Sequence, residues 1–398
     1  MRIITRTVWI LSLVSFFADI AGEMLYPVIP LYLKEIGFSV LFIGILEGVA
    51  EFTAGVSKGY FGKRSDEKGV RLPFVKWGYF LSAISKPMMA LFVYPLWVFM
   101  ARTIDRLGKG LRTAARDAML SSETTREHKA KVFGFHRGMD TFGAVLGPLA
   151  TLLYLQYNPA AYTTVFYLAF FPGIIAVLLI FLLKEKKQPA STMQPGNFFS
   201  FFKYWKIAPR EYKKLTGGLL LFALFNSSDV FLIIKTKEIT GSDTTTISAY
   251  IFYNIIFAAM AYPMGFVADR AGVKKIFVFG LLLFAIVYTG FAFRPPPTVI
   301  FILLFLYGIY AAATDGIAKA WITNIAHDHN TATAIGFYTS CQSVCSLFAS
   351  IMAGLLWNYF GSFITFIVTA AVTFLVSLFF ILYIHPQKTG TKVDKAGN

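Results

Sequence analysis

Asp19 and Glu23 stand four residues apart in one long apolar stretch, and Glu47 and Glu51 repeat that spacing in the next. On a helix, residues i and i+4 share a face, so each pair presents two carboxyl groups side by side. Carboxyls inside apolar segments are costly and are kept where they meet a cation, a proton or a watery path. A third cluster is mostly basic. In "ARTIDRLGKGLRTAARD", residues 101–117, the side chains Arg102, Asp105, Arg106, Lys109, Arg112 and Arg116 fall within roughly 120° of arc at about 100° per residue. The chemistry open to these groups is proton binding and release. Asp19, Glu23, Glu47, Glu51, Arg102 and Asp105 are the candidates for it, Arg102 and Asp105 being the deepest of the stripe. The alternative for the acids is neutralisation of the basic stripe or of Lys58. Arg112 and Arg116 approach the end of their span, which suits a gate.

Only a membrane can be the setting. The chain has 398 residues, 56% of them hydrophobic and 15% charged, against about a quarter charged in soluble domains. The apolar residues gather into runs of about 20, the length that crosses a core of roughly 30 Å. Long runs without ten-residue alternation predict helices, not a barrel. Twelve spans are expected, at 8–33, 39–62, 73–93, 95–118, 130–156, 161–183, 214–236, 245–268, 274–293, 297–322, 332–357 and 362–384. The first, with Arg2 and Arg6 ahead of it, contains Asp19, Glu23, Pro27 and Pro30 and reads as a retained helix, not a cleaved signal.

The net charge of +16 is explained by loop bias, and nucleic acid is excluded because no basic patch is free of spans. Lys63, Arg64, Lys68, Arg71, Arg126, Lys129, Lys131, Lys184, Lys186, Lys187, Arg270, Lys274 and Lys275 fall in loops on one side. That side, with both termini, is expected to be cytoplasmic in an inner (plasma) membrane. Residues 184–213 interrupt the pattern: a polar stretch, then "FFSFFKYWK", aromatics mixed with lysines that suit a segment lying on the membrane. The chain divides into a six-helix bundle at 1–183, this linker, a second bundle at 214–385 and a tail at 386–398.

Further polar residues inside the spans are candidates for contacting a substrate: Tyr26, Arg106, His136, Asp140, Asn226, Asp229, Asn254 and Gln342. Arg137 and Asp140 also fit a gate ion pair, and Asp315 and Lys319 read as an internal i,i+4 pair. Cys341 and Cys345 share a helix face, where a disulfide is disfavoured. No metal site is expected: His327 and His329 alternate in a short loop without a third ligand. No phosphate loop or nucleophile–base motif is present, so neither an enzyme nor a cofactor is expected.

The two halves echo one another. "GYFGKRSDEKGVR" (59–71) follows the second span and "GFVADRAGVKK" (265–275) follows the eighth; Asp105/Lys109 recur as Asp315/Lys319, and "VFGF" (132–135) as "AIGF" (334–337). With these residues the chain resembles the major facilitator superfamily over essentially its whole length. The second loop is similar to that family's Gly-x-x-x-Asp-Arg-x-Gly motif, which implies a gating latch at Gly265, Asp269 and Arg270. In the first loop, Gly59 is in register, Lys63 and Arg64 stand where the acid and base would, and Asp66 is the replacement acid. Gly143, Gly147 and Pro148 resemble the motif of the family's drug:proton antiporters; tight helix packing explains the same residues. Arg102 or Arg106 resembles its fourth-span arginine, implied in proton coupling.

The resemblance implies an all-α membrane protein with twelve transmembrane helices in two pseudo-symmetric six-helix halves. The expected activity is proton-coupled secondary transport by alternating access, exporting a small organic molecule, by one chain in a lipid bilayer. The alternatives are uptake or exchange of an organic anion through a basic cavity, and export of a metal cation.

Overall fold

The computed structural model describes residues 3–26, 28–38, 40–159, 161–186, 197–226 and 229–384. The polar part of the linker and the tail lie outside them. Among the described residues the regular structure is helical. The first span is α1 (Arg6–Glu23) and α2 (Val28–Glu35), followed by α3 (Val40–Lys68), α4 (Leu72–Leu91), α5 (Pro95–Ser122), α6 (Lys129–Tyr157) and α7 (Tyr162–Ile180). After the linker helix α8 (Tyr204–Ile207) come α9 (Arg210–Ala223) and α10 (Val230–Thr240), which together form the seventh span. The rest are α11 (Asp243–Ala271), α12 (Val273–Ala292), α13 (Pro297–Ile325) and α14 (Thr331–Tyr383).

Local chemistry sets the boundaries. Proline opens α5 and α13, where a missing N–H costs nothing. Thr5 caps α1 through its side-chain oxygen. The last two spans run together as α14, broken at Gly361, whose φ of 81° suits glycine. The outward faces are apolar, with Leu96, Phe171, Leu182 and Leu382 all more than half exposed. Lipid is the medium that suits such a surface. The chain is a multi-pass membrane protein.

Two breaks were not foreseen. The first and seventh spans are each interrupted, between Glu23 and Val28 and between Ala223 and Val230. Both were expected as single helices. The breaks occupy corresponding places in the two halves, and each leaves polar side chains at a helix end.

α1 to α7 pack among themselves, and so do α9 to α14. The halves meet along two symmetry-related seams, α3 against α14 and α6 against α11. The seam contacts lie toward the end that carries the basic loops. Ser340 Oγ accepts from the Gly59 amide at 2.9 Å and donates to the Gly55 carbonyl at 2.7 Å. The linker sits over the first seam: Phe201 is fully buried against Gly59, and Lys63 Nζ donates to Ser200 Oγ at 2.8 Å.

The seams correct the register of the first latch. Asp269 accepts from the amides of Ala130 and Lys131 at 3.0 and 2.9 Å, capping α6. Asp66 accepts from the Thr333 amide and hydroxyl at 2.6 and 2.8 Å, at the start of α14. Asp66 is therefore the counterpart of Asp269, Gly62 of Gly265, and Gly69 of Gly272. Both glycines three residues past the acid have positive φ, 61° and 102°. "GKRSDEKG" keeps the motif's two glycines and its acid but carries Glu67 in the basic position, and Gly59 and Lys63 are out of register with it. Lys63 and Arg64 pair instead with Glu67, at 3.0 and 2.9 Å. Arg270 stacks on Phe266 at 4.1 Å.

Asp66 stands beyond the apolar part of α3. Burial pushes its carboxyl up to about 6, against the opposing pull of Arg71 and the α14 amides. In an opened seam the group returns toward the ordinary value of about 3.9. The latched form thus holds the proton more tightly, so this group favours latching below about pH 4 and loses that contribution as pH rises through 6. Spin labels at Glu127→Cys and Ala271→Cys, in a Cys341→Ser/Cys345→Ser background, report opening of this end. Lowering pH from 7 to 5 should raise the short-distance population in the wild type. Asp66→Asn should flatten that part of the response; an unchanged pH profile rejects the assignment.

Candidate functional site

Between the halves lies a cavity of about 480 Å³. The first half contributes Asp19 and Glu23 from α1, Lys58 from α3, Lys109, Arg112 and Arg116 from α5, and Arg137 and Asp140 from α6. The second half contributes Asn226 and Asp229 at the α9–α10 break, with Tyr250, Tyr253 and Asn254 from α11. Tyr307, Tyr310, Asp315 and Lys319 come from α13 and Gln342 from α14. Of the residues expected to couple protons or contact substrate, the cavity gathers Asp19, Glu23, Asp140, Asn226, Asp229, Asn254 and Gln342.

The floor is an ion-pair chain that crosses between the halves. Arg137 reaches Asp140 at 2.5 Å in its own helix and Asp315 at 2.6 Å across the seam. Asp117 is fully buried between Arg116, at 2.9 Å, and Lys319 of the other half, at 3.0 Å. Asp315 and Lys319 are therefore not an internal pair: each serves a partner on the opposite half. Arg116 also donates to Ser15 at 2.8 Å and lies 3.9 Å from Asp140. The Asp19 and Asp140 carboxyls lie against one another.

The basic stripe of α5 divides because its neighbours change along the axis. Arg112 and Arg116 were expected toward a solvated end and are instead 7% and 8% exposed. Arg112 donates to Ser82 at 2.8 Å and lies over the Tyr79 ring at 4.3 Å. Higher on the helix, Arg102, Asp105 and Arg106 face α3 and α4, away from the cavity. Asp105 is paired with Lys86 and Arg102, both at 3.3 Å, and accepts from Ser82 at 2.9 Å. Arg106 pairs with Glu51 at 3.0 Å. This network touches the cavity lining through Ser82, which it shares with Arg112, and it leaves Arg102, Asp105, Arg106 and Glu51 outside the lining. Lys86 was missed, although a lone lysine between Ser85 and Pro87 in an apolar span was the available signal. The side chain of Glu47 lies outside the described residues.

Three other expectations move. His136 is 3% exposed behind the wall, with its ring nitrogens 3.5 Å from Ser12 and Ser15. Tyr26 is 57% exposed and does not line the cavity. Gly143 and Gly147 pack α6 onto α1, against the Phe16 and Ile20 carbonyls, inside the first half and not across a seam; Pro148 lies within the same helix.

In the second half the wall is aromatic. Asp229 accepts from Tyr253 and Tyr307 hydroxyls, at 2.7 and 2.6 Å. The rings of Tyr253 and Tyr307, and of Tyr307 and Tyr310, lie 5.4 and 5.2 Å apart. The Asn226 amide donates to Tyr310 at 3.2 Å. The sequence drew attention to Asp229; the tyrosines, scattered over α11 and α13, carried no spacing signal.

Two six-helix halves, paired latches and a polar cavity between them describe a recognisable architecture, and the family model for the Major Facilitator Superfamily matches residues 11–252 and 215–398. The chain belongs to the major facilitator superfamily. Within this superfamily it is 31% identical to an uncharacterized MFS-type transporter of Methanocaldococcus jannaschii, over 90% of each chain. It is 22% identical to the multidrug resistance protein MdtG of Klebsiella pneumoniae, covering 96% of this chain and 94% of that one. The superfamily fold is shared with the human organic anion transporter MFSD10, with a TM-score of 0.80 at 16% identity over 94% and 99% of the two chains. The E. coli fucose:proton symporter FucP gives 0.77 at 13% identity over 94% and 97%. Secondary transport is the activity to which this membership assigns the chain.

Proposed function

We propose that the chain exports a small organic molecule in exchange for protons, by alternating access between its two halves. The basic-loop end is taken as cytoplasmic, from the bias of lysine and arginine, so the described state is closed toward the cytoplasm. One observation carries the coupling. Arg137 is shared between Asp140, itself in carboxyl contact with Asp19, and Asp315 on the opposite half. The number of protons on the Asp19/Asp140 pair sets how much negative charge pulls Arg137 back toward α6. That pull competes with the bridge to α13, so proton occupancy biases the equilibrium between the two access states.

The export direction rests on the likeness to MdtG, whose name records multidrug resistance. Lys58 and Lys109, which meet no carboxylate within 4 Å among the described residues, favour a second reading, uptake or exchange of an organic anion. The metal-cation reading finds no support: no group of three or more candidate metal ligands occurs among the described residues.

The test uses cells producing the chain, loaded with a panel of cationic, neutral and zwitterionic fluorescent compounds. At least one should accumulate less than in control cells, and collapsing the proton gradient should restore it. Asp19→Asn, present in the membrane at wild-type level, should behave as the control. Retained efflux after collapse, or gradient-driven efflux by Asp19→Asn, rejects the proposal.

A further inference from the structure

We infer that the cavity takes a zwitterionic organic molecule, its anionic group held by Lys58, Lys109 and Arg112 and its cationic group by Asp229 and the tyrosine wall. The inference rests on the reading of this cavity as the transport site.

Three bases that line the cavity meet no carboxylate among the described residues. Most ionised groups of the floor pair with one another. Among the described residues, Lys58 and Lys109 meet no carboxylate within 4 Å, and the one polar contact of Lys58 is Ser343 at 3.4 Å. Arg112 is held by Ser82, which donates on to Asp105, and by the Tyr79 ring, and it meets no carboxylate directly among the described residues. Charges at this depth are retained where they face a partner or a watery cavity, and all three line this one. They come from two adjacent helices, α3 and α5, and present three cationic groups to one region. That is a site for a carboxylate or phosphate group.

The acidic pole stands apart. Both oxygens of Asp229 are occupied by phenolic donors, the arrangement of an acceptor-only carboxylate. No cation pairs with it among the described residues. Around it Tyr250, Tyr253, Tyr307 and Tyr310 line the cavity with Phe222 and Phe257. A carboxylate among ring faces is the chemistry that recognises an ammonium group. Glu23, which meets no ion-pair partner among the described residues, lines the cavity from the first half at the end of α1.

The poles are separated along the membrane normal. At about 1.5 Å per residue, Lys58 and Arg112 lie roughly 15 Å, and Lys109 roughly 20 Å, from the basic-loop ends of their helices. Glu23 lies about 26 Å from the start of α1 by the same rise, and Asp229 follows the whole of α9. A ligand with one sign of charge leaves one pole unmatched, and a molecule carrying both satisfies each, anionic end toward the basic loops.

The experiment measures binding by thermal stabilisation of the purified protein, which needs no gradient and is blind to proton coupling. The probes are trimethylammonio-carboxylates with two to eight methylenes between the charges, and as half-molecules tetramethylammonium and the matching fatty carboxylates. At one chain length the zwitterion should bind about tenfold or more tighter than either half, because joined groups bind as one. Asp229→Asn should reduce its affinity to that of the carboxylate alone, and Lys109→Gln to that of tetramethylammonium. Equal binding by either half, or stabilisation by no member of the series, overturns the inference. That comparison is made on the wild type, so a variant that fails to fold does not decide it. Failure here with proton-driven efflux intact would reject the substrate class alone.

Discussion

Arg137→Gln is expected to abolish gradient-driven transport and to weaken closure of the basic-loop end about tenfold. The guanidinium serves Asp140 and Asp315 at once. Its Nε approaches Asp315 closely but off the N–H axis, since that atom has no hydrogen bond of good geometry; the contact is an ion pair. Without it two carboxylates face each other across the seam with no cation between them. Removing one partner of a buried pair costs about 3–5 kcal/mol. Arg137 and Asp315 are 33% and 34% exposed, so solvent screening reduces the effect to about 1–2 kcal/mol, roughly a tenfold population shift. Arg137→Lys retains the charge but not the fork that spans two carboxylates, and should fall between. The spin-label pair at residues 127 and 271 measures closure, and efflux of whichever compound of the fluorescent panel the wild type exports measures transport. Wild-type distances in Arg137→Gln would remove the arginine from the closure mechanism.

What the sequence shows about this protein divides along a physical line. The spans are legible because twenty apolar residues have one use in a bilayer, and loop charge is what supports the proposed cytoplasmic side. Asp19, Glu23, Asp140 and Asp229 are legible because a carboxyl in such a span is expensive. What one helix cannot reveal is which neighbour its polar face meets. The α5 stripe reads as a single unit at 100° per residue, yet α4 takes Asp105 through Ser82 and Lys86 while the cavity receives Lys109, Arg112 and Arg116. Asp315 and Lys319 fit an i,i+4 pair, but both were committed across the seam, to Arg137 and Asp117. The tyrosines gather only when α11 and α13 pack.

The latch register fails for a related reason. Gly59 and Gly62 both precede an apparent motif, and spacing alone does not choose between them. The choice is made by which glycine meets the other half. A Cβ on Gly62 would run into the Ala332 carbonyl, and one on Gly265 into that of Ala130. Gly59 faces the Phe201 ring of the linker.

This contact gives the second large effect. Gly62→Val and Gly265→Val are each expected to force the basic-loop end open, and together to hold it open. The obstructed atoms are backbone carbonyls at the first turns of α14 and α6, which cannot rotate aside as a side chain would. Overpacking of this kind costs about 1–3 kcal/mol. The two sites lie on different seams, so the costs should add. Each half folds around its own contacts, so the strain is relieved by separating the halves without unfolding either. The signature is a longer distance between residues 127 and 271 with retained thermal cooperativity and lost transport. Gly217→Ala serves as the control: it lies within α9, where an added Cβ meets nothing within 4 Å. It should leave the distance unchanged and stabilise the helix by about 0.5–1 kcal/mol. If Gly62→Val leaves the distance short while Gly265→Val lengthens it, the two seams are not equivalent. The pseudo-symmetric latch then reduces to the α6–α11 side.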